Sequence, residues 1–278
     1  MCPFYRVSYY VPTNTIHTAQ DAWQGISLLI ECFLQFTIPI LSIHEQIVSQ
    51  DEWIKARKDF LIKEKAALRA NDELTTELHN LPMVKIDKEY TFDGPNGKVT
   101  LADLFNGRKQ LIVHHFMFAP EDEVGCEGCS FQTDNYPSSL AHLHARETTL
   151  VAVSRAPLAK IEKFKSRMGW NHPWYSSFGT DFNYDFHVTN DETLAPVQYN
   201  YKGKEEILKA KNAGDRGLVK GEGPGMSVFF KEGDEIFHTY STYGRGLDTL
   251  LVTNRMLDIT PLGRQDDIEL KYHDEYDD

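Results

Sequence analysis

Residues 110–130 read QLIVHHFMFAPEDEVGCEGCS. The run Gln110–Phe118 is apolar and aromatic, with the length of a buried strand. A loop follows, then Cys126-Glu127-Gly128-Cys129, two cysteines that can share one helical turn. One sulfur can attack a substrate disulfide and the other can resolve the mixed disulfide. A strand followed by CxxC inside a βαβ pattern reads as a redox motif.

Working outward, Leu140–Glu147 is predicted helical, with Pro137 breaking whatever helix starts at the cysteines. Leu150–Ser154 is a second buried strand. Pro157 opens and Gly169 closes a helix whose apolar stripe is Leu158, Ile161, Phe164 and Met168. Trp170–Gly225 is irregular and aromatic and reads as a long insertion. Ser227–Phe230 and Glu235–Tyr240 flank a KEGD turn and form an antiparallel hairpin, and Leu247–Leu257 is a last helix. Upstream, Tyr90–Phe92 and Lys98–Val99 form another hairpin, and Thr100 caps a short helix ended by Gly107. This order, with a right-handed first crossover, is that of a thioredoxin-like α/β fold. A central mixed sheet is flanked by helices, and the CxxC falls where the first core strand passes into the next helix.

Two segments stand outside that core. Residues 51–81 read as a helical arm: Trp53, Phe60, Ala67, Leu74 and Leu81 recur every seven residues on an otherwise charged helix, a stripe for packing on the domain or for a homodimer. Residues 1–48 are expected to be a poorly ordered extension, leaving 49–278 as the domain. The extension's apolar stretch 22–43 is interrupted by Glu31 and Pro39, is of borderline length for a spanning helix, and offers at most a membrane contact.

The net charge of −12 argues against nucleic-acid binding. Part of the excess lies in 265–278, with seven acids and one lysine, read as a solvated tail. Four cysteines are too few for a disulfide-stapled secreted fold, and the chain contains no Asn-x-Ser/Thr sequon; a cytoplasmic protein is expected. No Gly-rich phosphate loop is present, so no bound organic cofactor is expected.

LADLFNG (101–107), HFMFAP (115–120), GCEGCS (125–130), VSRAPL (153–158), RMGW (167–170), SSFGTDFNYDF (176–186) and FHTYSTYGRG (237–246) resemble the DUF899 family. The resemblance runs from about Gln50 to Tyr276. It implies a thioredoxin-like protein of a group described as predicted dithiol–disulfide oxidoreductases, with kinship to the peroxiredoxin-like branch of the fold. In many thioredoxin-like proteins a cis-proline precedes the third core strand, and Pro224 is near that place. The tryptophan that often precedes a thioredoxin CxxC is replaced here by Gly125.

Cys126 lies nearer the helix N-terminus, where backbone N–H groups favour an anion, and is assigned the attack; Cys129, one turn in, resolves. Glu121, Asp122, Glu123 and Glu127 oppose a thiolate, so cationic help has to come through the fold, with Arg155 and Arg245 as candidates. Trp170, Trp174, Ser176 and Asp181 are expected to wall a substrate pocket, with Arg155 and Tyr240 opposite. Electrons would come from an external thiol or a reductase. The alternatives are a peroxiredoxin-like thiol peroxidase and a non-enzymatic binding protein. A zinc site is disfavoured because no second CxxC supplies the remaining ligands. Asp181-Phe182-Asn183-Tyr184-Asp185 imitates a calcium loop but has Phe186 where the turn needs Gly. His114 and His115 point to opposite faces of their strand, one expected to be a satisfied core histidine.

Overall fold

The computed structural model describes residues 47–210 and 216–277. Cys2, Cys32 and the apolar stretch 22–43 lie outside these residues. Among the described residues, no helix is long and apolar enough to cross a membrane. They divide into two units, 47–81 and 82–277.

The first unit is one helix, Gln50–Leu78, of 29 residues. Ser49 starts it with a capping box: its Oγ accepts the Glu52 N–H at 3.3 Å, and the Glu52 carboxylate accepts the Ser49 N–H at 3.0 Å. None of its side chains is buried, and Trp53, Phe60 and Leu74 of the seven-residue stripe are exposed.

The second unit contains β1 (Val84–Lys85), β2 (Thr91–Gly94), β3 (Gly97–Thr100), β4 (Gln110–His115), β5 (Thr148–Ser154), β6 (Trp174–Ser176), β7 (Thr189–Asn190), β8 (Gln198–Tyr199), β9 (Lys202–Gly203), β10 (Gly221–Glu222), β11 (Gly225–Glu232) and β12 (Glu235–Tyr243). Eight of them form the main sheet, in the order β1-β12-β11-β4-β5-β6-β2-β3. β4, β5 and β6 are parallel, and β11 is antiparallel to both β4 and β12. This is a thioredoxin-like fold. Every residue of β5 is buried, as expected of a parallel strand covered on both faces.

The structure refines three expectations. Trp170–Gly225, read as a long irregular insertion, contributes to the core: β6 lies within it and pairs with both β5 and β2. Three residues are too few to show a period, so β6 is defined by its partners rather than by its pattern. The same stretch supplies Phe182 and Phe186, which pack with Tyr90, Phe92, Leu111, Val113 and Phe229 on one face of the sheet. Second, the last helix is split: a 3-10 helix, Gly244–Leu250, gives way at Leu251 to an α-helix, Val252–Asp258. Third, the acidic tail is docked. Tyr272 is 7% exposed and joins Phe116, Phe118, Ile161, Phe164, Met168, Trp174 and Cys129 on the other face. Its neighbours Asp274 and Glu275 are held by Arg167. The described acids of the tail stay exposed, as a count of charges predicts, while one buried aromatic and a fixed counter-charge anchor it.

Candidate functional site

β4 ends at His115, and the chain runs on through Phe116 and Phe118, which turn into the core beneath the helix Glu127–Asp134. Cys126 is the N-cap of that helix, with φ −63° and ψ 133°. It is partly exposed, whereas Cys129, one turn in, is 2% exposed. The main chain of Met117 holds both cysteines. Its carbonyl accepts the Cys126 N–H at 3.0 Å, and its N–H donates to Cys129 Sγ at 3.4 Å. The Cys126 carbonyl accepts from both the backbone N–H and the hydroxyl of Ser130, each at 2.9 Å.

Gly125 stands before the pair for a steric reason. A Cβ there would lie 2.5 Å from Phe116 Cε1 and 2.8 Å from Phe164 Cε1, inside contact distance of two buried rings. A tryptophan at this position has no room. Gly125→Ala should therefore cost about 1–3 kcal/mol through overpacking, seen as a lower urea midpoint at unchanged slope. An unchanged midpoint would show that the rings yield freely.

The cations near the site are occupied. Arg155, at the C-terminal end of β5, pairs with the buried Glu222 at 2.7 Å and lies 5.0 Å over the Tyr184 ring. Burial pushes the Glu222 carboxyl up, and Arg155 and the Thr189 hydroxyl act against it. Lys160 grips the acidic loop by the carbonyls of Pro120 (3.0 Å) and Asp122 (2.7 Å), with Glu123 3.6 Å away. Arg245 is exposed at the start of the 3-10 helix, where its charge acts on Asp248.

Of the expected pocket wall, Trp170 packs with Cys126 and Cys129 in one cluster and donates to Asp134 at 2.8 Å. Trp174 is buried there too and donates to Ser154 Oγ at 3.0 Å. Ser176 is a buried tie, its hydroxyl donating to the Ala156 carbonyl at 2.7 Å. Asp181 instead meets Lys88 at 2.8 Å, and Lys88 also meets Asp185 at 2.7 Å, so the calcium-like pair already has its counter-ion. Among the described residues, no group of His, Cys, Asp and Glu is arranged to hold a metal ion. Tyr240 is exposed on β12, paired with Val228. Pro224 immediately precedes β11, and no cis peptide occurs among the described residues.

Sequence reasoning missed three participants. Met117 acts through its backbone and leaves no trace in residue type. Tyr272 comes from the tail, and its hydroxyl donates to the Gly125 carbonyl. Tyr136 is bonded to His114 Nδ1 beneath the helix, and burial together with the charge of Cys129 pushes its phenol well above its usual range. His114 and His115 are both fully buried, one on each face, and burial lowers each to about 3. His115 Nε2 bonds Ser227 Oγ at 2.7 Å, and that hydroxyl bonds Ser241 at 2.7 Å.

The fold and site define a class: a thioredoxin-like α/β protein with a dithiol at the start of a helix. The DUF899 family, described as a bacterial protein of unknown function, matches residues 42–276, and the chain belongs to it. No curated protein matches it. Similar solved structures include peroxiredoxin Q of Xanthomonas campestris (13% identity, 59% of this chain and 87% of that one, TM-score 0.36). A candidate protein disulfide isomerase of Bacteroides thetaiotaomicron has 18% identity, covering 64% and 90%, with TM-score 0.35. The yeast mitochondrial 1-Cys peroxiredoxin has 16% identity, covering 66% and 83%, with TM-score 0.37. Likenesses this slight carry no argument about activity.

Proposed function

We propose that the protein is a thiol–disulfide oxidoreductase working through Cys126 and Cys129. The reading is carried by the asymmetry of the pair: a partly exposed sulfur at a helix N-cap and a buried one a turn deeper, both held by Met117. The Cys126 thiolate attacks one sulfur of a disulfide, the S–S bond breaks, and the leaving thiolate takes a proton. Cys129 then gives up its proton and attacks Cys126 Sγ, releasing the second thiol and leaving a Cys126–Cys129 disulfide. The substrate is reduced by two electrons, which an external thiol or reductase restores. The acids Glu121, Asp122, Glu123 and Glu127 beside Cys126 work against a thiolate, which fits a mild redox pair.

The test is titration against a glutathione redox buffer, with thiols trapped by alkylation and Cys126 and Cys129 read by mass spectrometry. A reversible disulfide between them, with one defined potential, is expected. If both stay reduced across the buffer range, the oxidoreductase reading fails. If peroxide instead gives a Cys126 sulfenate faster than any disulfide reacts, a thiol peroxidase takes its place.

A further inference from the structure

We propose that Tyr272 is a positioning residue for Cys126: a hydroxyl brought by the C-terminal segment that fixes the peptide on which the attacking sulfur is carried. The inference rests on Cys126 being the attacking thiol.

The peptide group between Gly125 and Cys126 is held at both ends. Its carbonyl accepts the Tyr272 hydroxyl, and its N–H donates to the Met117 carbonyl at 3.0 Å. One bond would leave that plane free to rock about the other; two bonds on opposite edges fix it. On its far side, the Cys126 carbonyl is bonded twice by Ser130. The cysteine therefore sits between two immobilised peptide groups, aligned on the first turn of the helix, where a thiolate is favoured. Gly125 is buried, so without Tyr272 its carbonyl would lose the bond the structure provides.

Tyr272 is itself held firmly. Its ring meets Phe164 edge-on at 5.6 Å and lies 4.9 Å beneath the Arg167 guanidinium. Arg167 grips Asp274 through two bonds, at 2.8 and 2.9 Å, and Glu275 at 2.7 Å. His273 bonds Asp134, at the far end of the cysteine helix, at 2.8 Å. Burial pushes the Tyr272 phenol up, and the charges of Glu127 and Cys126 push it the same way. The group stays an O–H donor at physiological pH.

The test compares wild-type protein with Tyr272→Phe and Asp274→Asn. The rate of Cys126 alkylation by iodoacetamide is followed against pH, with Cys126 resolved from Cys129 by mass spectrometry. Tyr272→Phe keeps the ring and its packing and removes only the donor. Its Cys126 should react about three- to tenfold more slowly at pH 7, with the midpoint of the profile moved to higher pH. Asp274→Asn weakens the tail's ion pair but keeps the hydroxyl, so its profile should move less than that of Tyr272→Phe. A tail that only stabilised the fold would lower the melting temperature in both variants and leave both profiles unchanged, which would overturn the proposal. A Phe variant that did not fold at any temperature would also overturn it, since a hydroxyl that only positions Cys126 is not needed for folding. The redox titration of wild-type protein decides the oxidoreductase reading separately, because these alkylation profiles do not depend on whether a disulfide forms.

Discussion

Cys126→Ser protein is expected to lose disulfide exchange, by about a thousandfold or more, because a serine hydroxyl does not ionise near neutral pH as a thiol does. Cys129→Ser is expected to behave differently. Its Cys126 still attacks, but nothing resolves the adduct, so a stable mixed disulfide accumulates at Cys126 and turnover stops. The asymmetry follows from burial. Cys129 is 2% exposed and its sulfur is occupied by the Met117 N–H, so a bulky disulfide cannot reach it first. It becomes competent only when the mixed disulfide at Cys126 brings a reacting sulfur to it. Both variants should be made with Cys2 and Cys32 already replaced by serine, so that the outcome belongs to the pair. Mass spectrometry after a pulse of oxidised glutathione is the measurement. If the adduct forms at Cys129 in Cys126→Ser protein, the assigned roles are reversed; if neither variant differs from wild type, the chemistry lies elsewhere.

A second large effect concerns acid. His114 and His115 are buried neutral, with folded values near 3 against an ordinary 6.5, and burial also lowers His172, to about 4. The unfolded chain binds these protons more readily than the folded one. The histidines' contribution is therefore complete above pH 6.5 and is lost as pH falls from there towards 3. At pH 5 the loss is about 2 kcal/mol for each of His114 and His115. Against the usual net stability of a domain, this is a large fraction. The lowered carboxyls of Asp103, Asp248 and Asp258 begin to lose their contribution only as pH falls towards the ordinary aspartate value of 3.8, below the pH 5 comparison, and Glu222, pushed up by burial, acts in the opposite direction as a single group. Urea midpoints at pH 7.5 and pH 5 should differ accordingly. A His114→Asn, His115→Gln variant keeps a polar atom near the bonded ring nitrogens and cannot titrate, so its pH dependence should flatten. A variant as acid-sensitive as wild type would remove the histidines from the explanation.

The fold and the dithiol were both legible in the chain for the same physical reason. A buried parallel strand has to be continuously apolar, a helix has to be capped and stopped, and a reactive pair one turn apart has to be CxxC. Gln110–His115, Thr148–Ser154 and the helix from Pro157 to Gly169 each carry such local necessity. Gly125 was visible too, but not its reason, since the two rings that forbid a Cβ are Phe116, nine residues before it, and Phe164, on another helix.

By itself the sequence determined the element order, the place of Cys126 and Cys129 at a strand-to-helix passage, and the family through its motifs. Only the tertiary structure decided which groups serve that pair. Met117 acts by its backbone, which every residue type shares; β6 exists because β5 and β2 offer it hydrogen bonds; Arg155 is committed to Glu222 across 67 positions of chain, and Tyr272 reaches Gly125 across 147. Local pattern encodes what a segment must be, whereas long-range contacts depend on where the packed sheet and helices finally place side chains and backbone groups that no local rule constrains.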